Sequence, residues 1–78
     1  MEKYQTKDLY IASFLYAKGV TFTGINKDGR NCTFLFEDSD TCKKLVLLQF
    51  QGKAEVNARA FIEAIKTLKS LIFSEIGR

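Results

Sequence analysis

The sequence predicts an α+β domain of order α-β-β-α-α, in which a two-stranded antiparallel hairpin packs on helices. Three observations carry this. First, Phe61, Ile65, Leu68, Ile72 and Ile76 recur at steps of four, three, four and four within the long segment Asn57 to Ile76, which is the helical period. Second, two segments on either side of Asn26-Lys27-Asp28-Gly29 alternate with period two, as strands do. Third, the other apolar segments open on Ser, Thr or Asp and close on Gly19 or Gly52, the punctuation of helices.

Taken in order, Met1 to Gln5 is polar apart from Tyr4 and is expected to fray. Thr6 is the expected N-cap of a helix over Lys7 to Lys18, with Asp8 placed well for the helix dipole and Gly19 as the stop. Leu9, Ala12, Leu15 and Tyr16 line one side of this helix, Tyr10, Phe14 and Ala17 the other, with Ile11 between. A helix apolar nearly all round is normally buried on more than one side. Two readings follow: the tyrosines lie at the edge with their hydroxyls in water, or one side meets a partner.

Val20 to Ile25 and Arg30 to Glu37 form the hairpin, with Cys32, Phe34 and Phe36 on the face turned to the core. A lone hairpin is not stable in water, so that face must lie on helices. Gly24 marks a bulge or a close backbone approach. Asp38-Ser39-Asp40 opens a second helix, Ser39 to Phe50, with Cys42, Leu45, Val46 and Gln49 on one side and Gly52 as its stop. Leu45 to Phe50 alone is equally compatible with a buried strand; the flanking cap and glycine favour helix. Lys53 to Val56 is a connector or a short third strand along the hairpin edge. Asn57 caps the last helix, about 30 Å long at ~1.5 Å per residue, which ends at Gly77. We read it as the backbone of a single domain, residues 1–78.

Composition bounds the function. Seventy-eight residues give a core only marginally sufficient for stability. The net charge of +3 permits an anionic partner without requiring one. Histidine is absent, which removes the usual general base and the commonest metal ligand. Two cysteines, Cys32 and Cys42, are too few for a disulfide framework or a four-cysteine metal site and are expected as reduced, partly buried thiols. Lys43 and Lys44 lower the pKa of Cys42 only if it is exposed. The N-terminus lacks the apolar core of a signal peptide and no apolar run approaches a membrane span, so the expected location is the cytoplasm.

Catalytic chemistry finds no footing. Glu37, Asp38 and Asp40 do not match a calcium loop and are better explained by helix capping. Asn26 to Arg30 has one glycine and closes a hairpin, so it is not a phosphate loop. No serine stands in a nucleophile-elbow context. The expectation is a non-enzymatic domain with no cofactor.

The opening T-K-D-L-Y-I-A-S-F-L-Y-A-K-G, the hairpin end F-L-F-E-D-S and the late V-N-A-R-A-F-I-E-A-I-K-T-L-K-S-L together resemble a small prokaryotic and phage-associated family of unknown function. The resemblance covers most of the chain. It implies an origin in prokaryotes, viruses or mobile elements and carries no activity to particular residues.

Two binding readings remain. Around the long helix, at ~100° per residue, Phe61, Ile65, Leu68 and Ile72 centre the apolar side, Ala60, Ala64 and Leu71 widen one flank, and Ile62 and Phe73 the other. This arc exceeds what one layer of hairpin and helices covers. We therefore expect Ile62, Lys66, Lys69 and Phe73 to border a protein interface, with a symmetric dimer as the favoured case because it is the commonest oligomer. The alternative is a weakly basic nucleic-acid-binding protein using Lys43, Lys44 and Lys66, provided the two later helices pack side by side. Glu55 and Glu63 interrupt that basic region, and scattered lysines are the usual solvated face of a helix.

Overall fold

A computed structural model describes residues 3–76. Its elements run β1 (Tyr4–Thr6), α1 (Leu9–Ala17), β2 (Phe22–Asp28), β3 (Asn31–Phe36), α2 (Ser39–Phe50) and α3 (Ala58–Ile76). The α+β class and the sequence helix, hairpin, helix, helix are as expected. The sheet has three strands in the order β1-β3-β2, both neighbours antiparallel to β3. With extents of 38 × 30 × 18 Å, the thin direction accommodates one helical layer on one sheet.

The third strand is where the chain begins, not at Lys53 to Val56. Tyr4, Gln5 and Thr6 pair with Phe36, Leu35 and Phe34 in turn. Once paired, Tyr4 and Thr6 turn inward and are half-buried, while Gln5 is exposed. The expected fraying therefore fails for Tyr4 and Gln5; Met1 and Glu2 lie outside the described residues. Lys53 to Val56 instead links two helix ends, with Ala54 and Val56 packed against the core. Strand formation through Thr6 also shortens α1. Its N-cap is Asp8, whose carboxylate accepts from the Tyr10 and Ile11 amides at 2.8 and 3.1 Å, while the Thr6 hydroxyl accepts from the Asp8 amide.

The turn spans Asp28 to Asn31, two residues later than the expected Asn26 to Gly29. Asp28 pairs with Asn31, leaving Gly29-Arg30 as the loop. The positive φ falls on Gly29 at +63°, the first central position, as in a type II′ turn. Of the two readings of Gly24, the bulge is the one formed: Phe22 pairs with Phe36 and Gly24 with Leu35, so Thr23 is the extra residue, and its hydroxyl donates to the Leu35 carbonyl.

Both shorter helices end in the same way. After α1, the Gly19 amide bonds the Tyr16 carbonyl and the Val20 amide the Leu15 carbonyl; after α2, Gly52 bonds Gln49 and Lys53 bonds Leu48. These paired 5→2 and 6→1 bonds are the Schellman motif, which needs a left-handed residue at its turn. Gly19 and Gly52 supply it at φ +88° and +72°. The Leu45 to Phe50 ambiguity is thereby resolved as helix.

Cross-strand rows assemble the sheet's inner face: Tyr4, Phe36 and Phe22 in one, Thr6, Phe34 and Ile25 in the next. Phe34 and Phe36 join Ala12, Phe14, Leu15, Cys42, Val46 and Leu68 in one buried cluster. The rings of Phe22 and Phe36 meet at 5.3 Å, and Tyr16 caps Phe22 edge-on at 5.9 Å, contacts worth about 1 kcal/mol each beyond their area. α1 is the shared neighbour of α3 and α2, which barely touch one another. Of the α3 stripe, Leu68 is buried, whereas Phe61, Ile65 and Ile72 are only half-buried. Ala64, read from the sequence as a flank, is fully enclosed. The packing line is rotated toward Ala64 and Leu68 because α3 lies mainly against a helix, α1, rather than across the hairpin. The Ile76 side chain and Gly77 lie outside the described residues.

Candidate interaction surface

Asn57 starts α3, its side-chain oxygen accepting from the Ala60 amide at 3.0 Å. With Leu68 turned to the core, ~100° per residue places Lys69, Ile62, Phe73 and Lys66 on successive lines of one outer flank. The structure keeps all four exposed: Phe73 at 78% and Ile62 at 50%, with Lys66 and Lys69 between them along the axis. Lysine stems at such positions can lie over apolar surface with their ammonium groups in water. The flank's residues thus stand where the sequence placed them.

A second exposed pair was missed. Leu47 and Phe50 on α2 are 57% and 78% exposed. Their signal lies in the sequence, since residues three apart share a helix face and both fall away from Cys42 and Gln49. Tyr10 and Tyr16 are exposed at the rim of α1, as both readings of that helix require.

The basic residues Lys43 and Lys44 lie exposed on α2, and Lys66 lies exposed on α3. The side-by-side packing that would merge them is not formed, because α2 and α3 make little contact.

The acids at the start of α2 are structural. Asp38 is its N-cap at φ +63°, accepting from the Thr41 amide at 3.2 Å and the Thr41 hydroxyl at 2.7 Å. These bonds, with a smaller contribution from Lys44, hold its carboxyl below the usual range. Asp38 also rims an open cleft of about 490 Å³ lined by Lys18, Val20, Thr21, Glu37, Thr41 and Leu45. Lys18 is tethered at that end of α1, donating from Nζ to the Glu55 carbonyl at 3.0 Å. Cys42 is fully buried, and burial pushes its thiol pKa up, with Asp38 adding to the shift. A thiol so placed stays protonated and unreactive at neutral pH. Among the described residues, no group of three or more acidic or cysteine side chains is arranged to hold a metal ion, and no helix is long and apolar enough to cross a membrane.

No curated protein and no solved structure matches the chain significantly. A family model does, over residues 1–74. With nearly its whole length matched, this chain belongs to the family described as Domain of unknown function (DUF5659).

Proposed function

We propose that the domain is a non-enzymatic protein-interaction module whose contact surface is the α3 flank formed by Ile62, Lys66, Lys69 and Phe73. One observation carries the reading: Phe73 stands 78% exposed although the chain has an enclosed core to place it in. Burying a phenylalanine side chain is worth about 1.5–3 kcal/mol, so two large apolar side chains in water on one flank support a contact surface there, as the exposed pair Leu47 and Phe50 does on α2. A basic rim around an aromatic anchor suits such a contact, where the ring supplies area and the charges select the partner. A second copy is the first occupant to test, since two-fold dimers are the commonest assemblies.

Selection of a random peptide-display library on the folded protein, repeated with Phe73→Glu, tests the reading for any occupant. The parent should enrich binders that the variant fails to hold. Sedimentation across a concentration range reads self-association. Binders unaffected by Phe73→Glu, in a chain that also stays monomeric, would remove the flank from consideration.

A further inference from the structure

The charge pattern of the same flank selects among its occupants. Ile62 and Phe73 lie symmetrically about the midpoint of the strip, and so do Lys66 and Lys69. In an antiparallel two-fold pairing that buries Ile62 against Phe73 of a second copy, Lys66 therefore faces Lys69 of that copy, and the reverse contact repeats it. A parallel two-fold sets each lysine against itself. Both side-by-side symmetric arrangements bring four ammonium groups together at the centre of the contact, a juxtaposition that disfavours a partner strongly. The one acid beside the strip, Glu63, lies three residues before Lys66 and four after Arg59, spacings at which it serves either of those cations but not Lys69. Neither Lys66 nor Lys69 is held in an ion pair among the described residues.

Resting on the interaction reading above, we infer that the flank receives an acidic amphipathic segment of another protein, with apolar anchors over Ile62 and Phe73 and carboxylates between them on Lys66 and Lys69. The anchors stand eleven residues apart on α3, about 16 Å at the helical rise, a span that three turns of a partner helix match. Anchors at the ends and cations in the middle also argue against a lipid surface. An interfacial helix presents a continuous apolar face to the bilayer, whereas the continuous face of α3 is turned inward at Ala64 and Leu68.

The test is display selection of fifteen-residue peptides on three folded proteins: the parent, Phe73→Glu, and Lys66→Glu/Lys69→Glu. The parent should enrich peptides with two apolar anchors and net negative charge between them. A labelled enriched peptide should bind the charge-reversed protein about tenfold or more weakly, and the parent more weakly at high salt, as exposed ion pairs require. Enriched peptides that are neutral or basic, equal binding by the charge-reversed protein, or no enrichment at all overturn the inference. So does a parent that sediments as a dimer dissociated by Phe73→Glu, or one that binds phosphatidylserine vesicles or nucleic acid through Phe73 in preference to the peptides. The two readings fail separately. Binding lost in Phe73→Glu but kept in the charge-reversed protein leaves the interaction surface standing and removes only its acidic partner; binding kept in Phe73→Glu removes the surface itself.

Discussion

Helices α1 and α3 are both broadly apolar and dispose of that surface in opposite ways. α1 is nine residues long, and four consecutive residues, Ala12 to Leu15, are buried. Four successive positions span most of a helical turn, so α1 is enclosed from several sides: by α3, by α2 and by the sheet at β1. α3 is nineteen residues long, and among its described side chains only Ala64 and Leu68 are fully buried. The short helix is the hub of the molecule and the long one lies along its edge. Length gave α3 its strong periodic signal, but a neighbour on each side is what buries an apolar surface. An apolar arc therefore means core where other elements can surround it, and means contact surface where the helix outruns them.

The most disruptive way to probe this contrast is to truncate one enclosed side chain in each helix. Leu15→Ala and Leu68→Ala remove fully buried groups and should each cost ~2–5 kcal/mol, with Leu15→Ala the larger, because a site walled on several sides collapses less readily onto a cavity. In so small a domain either loss approaches the whole stability. Urea titration of both variants measures the order. A milder Leu15→Ala would make α3, not α1, the centre of the fold.

Smaller changes sharpen the same point. Ser13 is fully buried in α1, and its hydroxyl has no partner. An unsatisfied buried polar atom is unfavourable, so Ser13→Ala should raise stability by about 1 kcal/mol in thermal unfolding. An unchanged or lower melting temperature would mean that the hydroxyl is satisfied in solution. At the start of α3, Asn57→Ala removes the bond to the Ala60 amide and should cost ~1 kcal/mol.

Asp38 adds a pH dependence. Its folded-state pKa is lowered, chiefly by the Thr41 bonds, so its contribution is complete above the ordinary carboxylate range and is lost as pH falls through the lowered value. Melting temperature should fall on acidification, and Asp38→Asn should flatten that part of the profile, because Asn caps and tolerates positive φ without titrating. A profile unchanged in Asp38→Asn would show that other carboxylates set the acid limb.

How much of this was legible in the chain depends on whether the signal was local. The boundaries of α2, the cap at Asn57 and the stops at Gly19 and Gly52 are short-range chemistry, and each was readable; the cap of α2 was readable only as one of Asp38, Ser39 and Asp40, and Gly24 only as a bulge or a close approach. The exposed flank Ile62 to Phe73 was readable too, because angle around a single helix needs no tertiary knowledge. What escaped was pairing. Tyr4 to Thr6 has too few residues to show alternation, and it becomes a strand only because β3 leaves an edge free. Likewise, the hub role of α1 is a property of its neighbours, and the separation of Lys43 and Lys44 from Lys66 follows from α1 taking the place beside α3.

The smallest expected effect is the one on which the contrast turns. Phe73 and Leu15 are both large apolar side chains on helices, yet replacing Phe73 should barely change stability. Its ring is 78% exposed, and surface substitutions of this kind usually fall within about 0.5 kcal/mol. Phe73→Glu places a carboxylate in the last turn of α3, where the helix dipole disfavours it weakly, but one turn from Lys69, a spacing at which opposite charges attract weakly and offset that cost. Unfolding should then occur at the parent's urea midpoint with the same slope, while any partner contact is lost because a carboxylate is costly to desolvate in a closed interface. A variant that loses several kcal/mol instead would show that Phe73 packs inward in solution, that α3 is wrapped as α1 is, and that the two helices do not differ in kind.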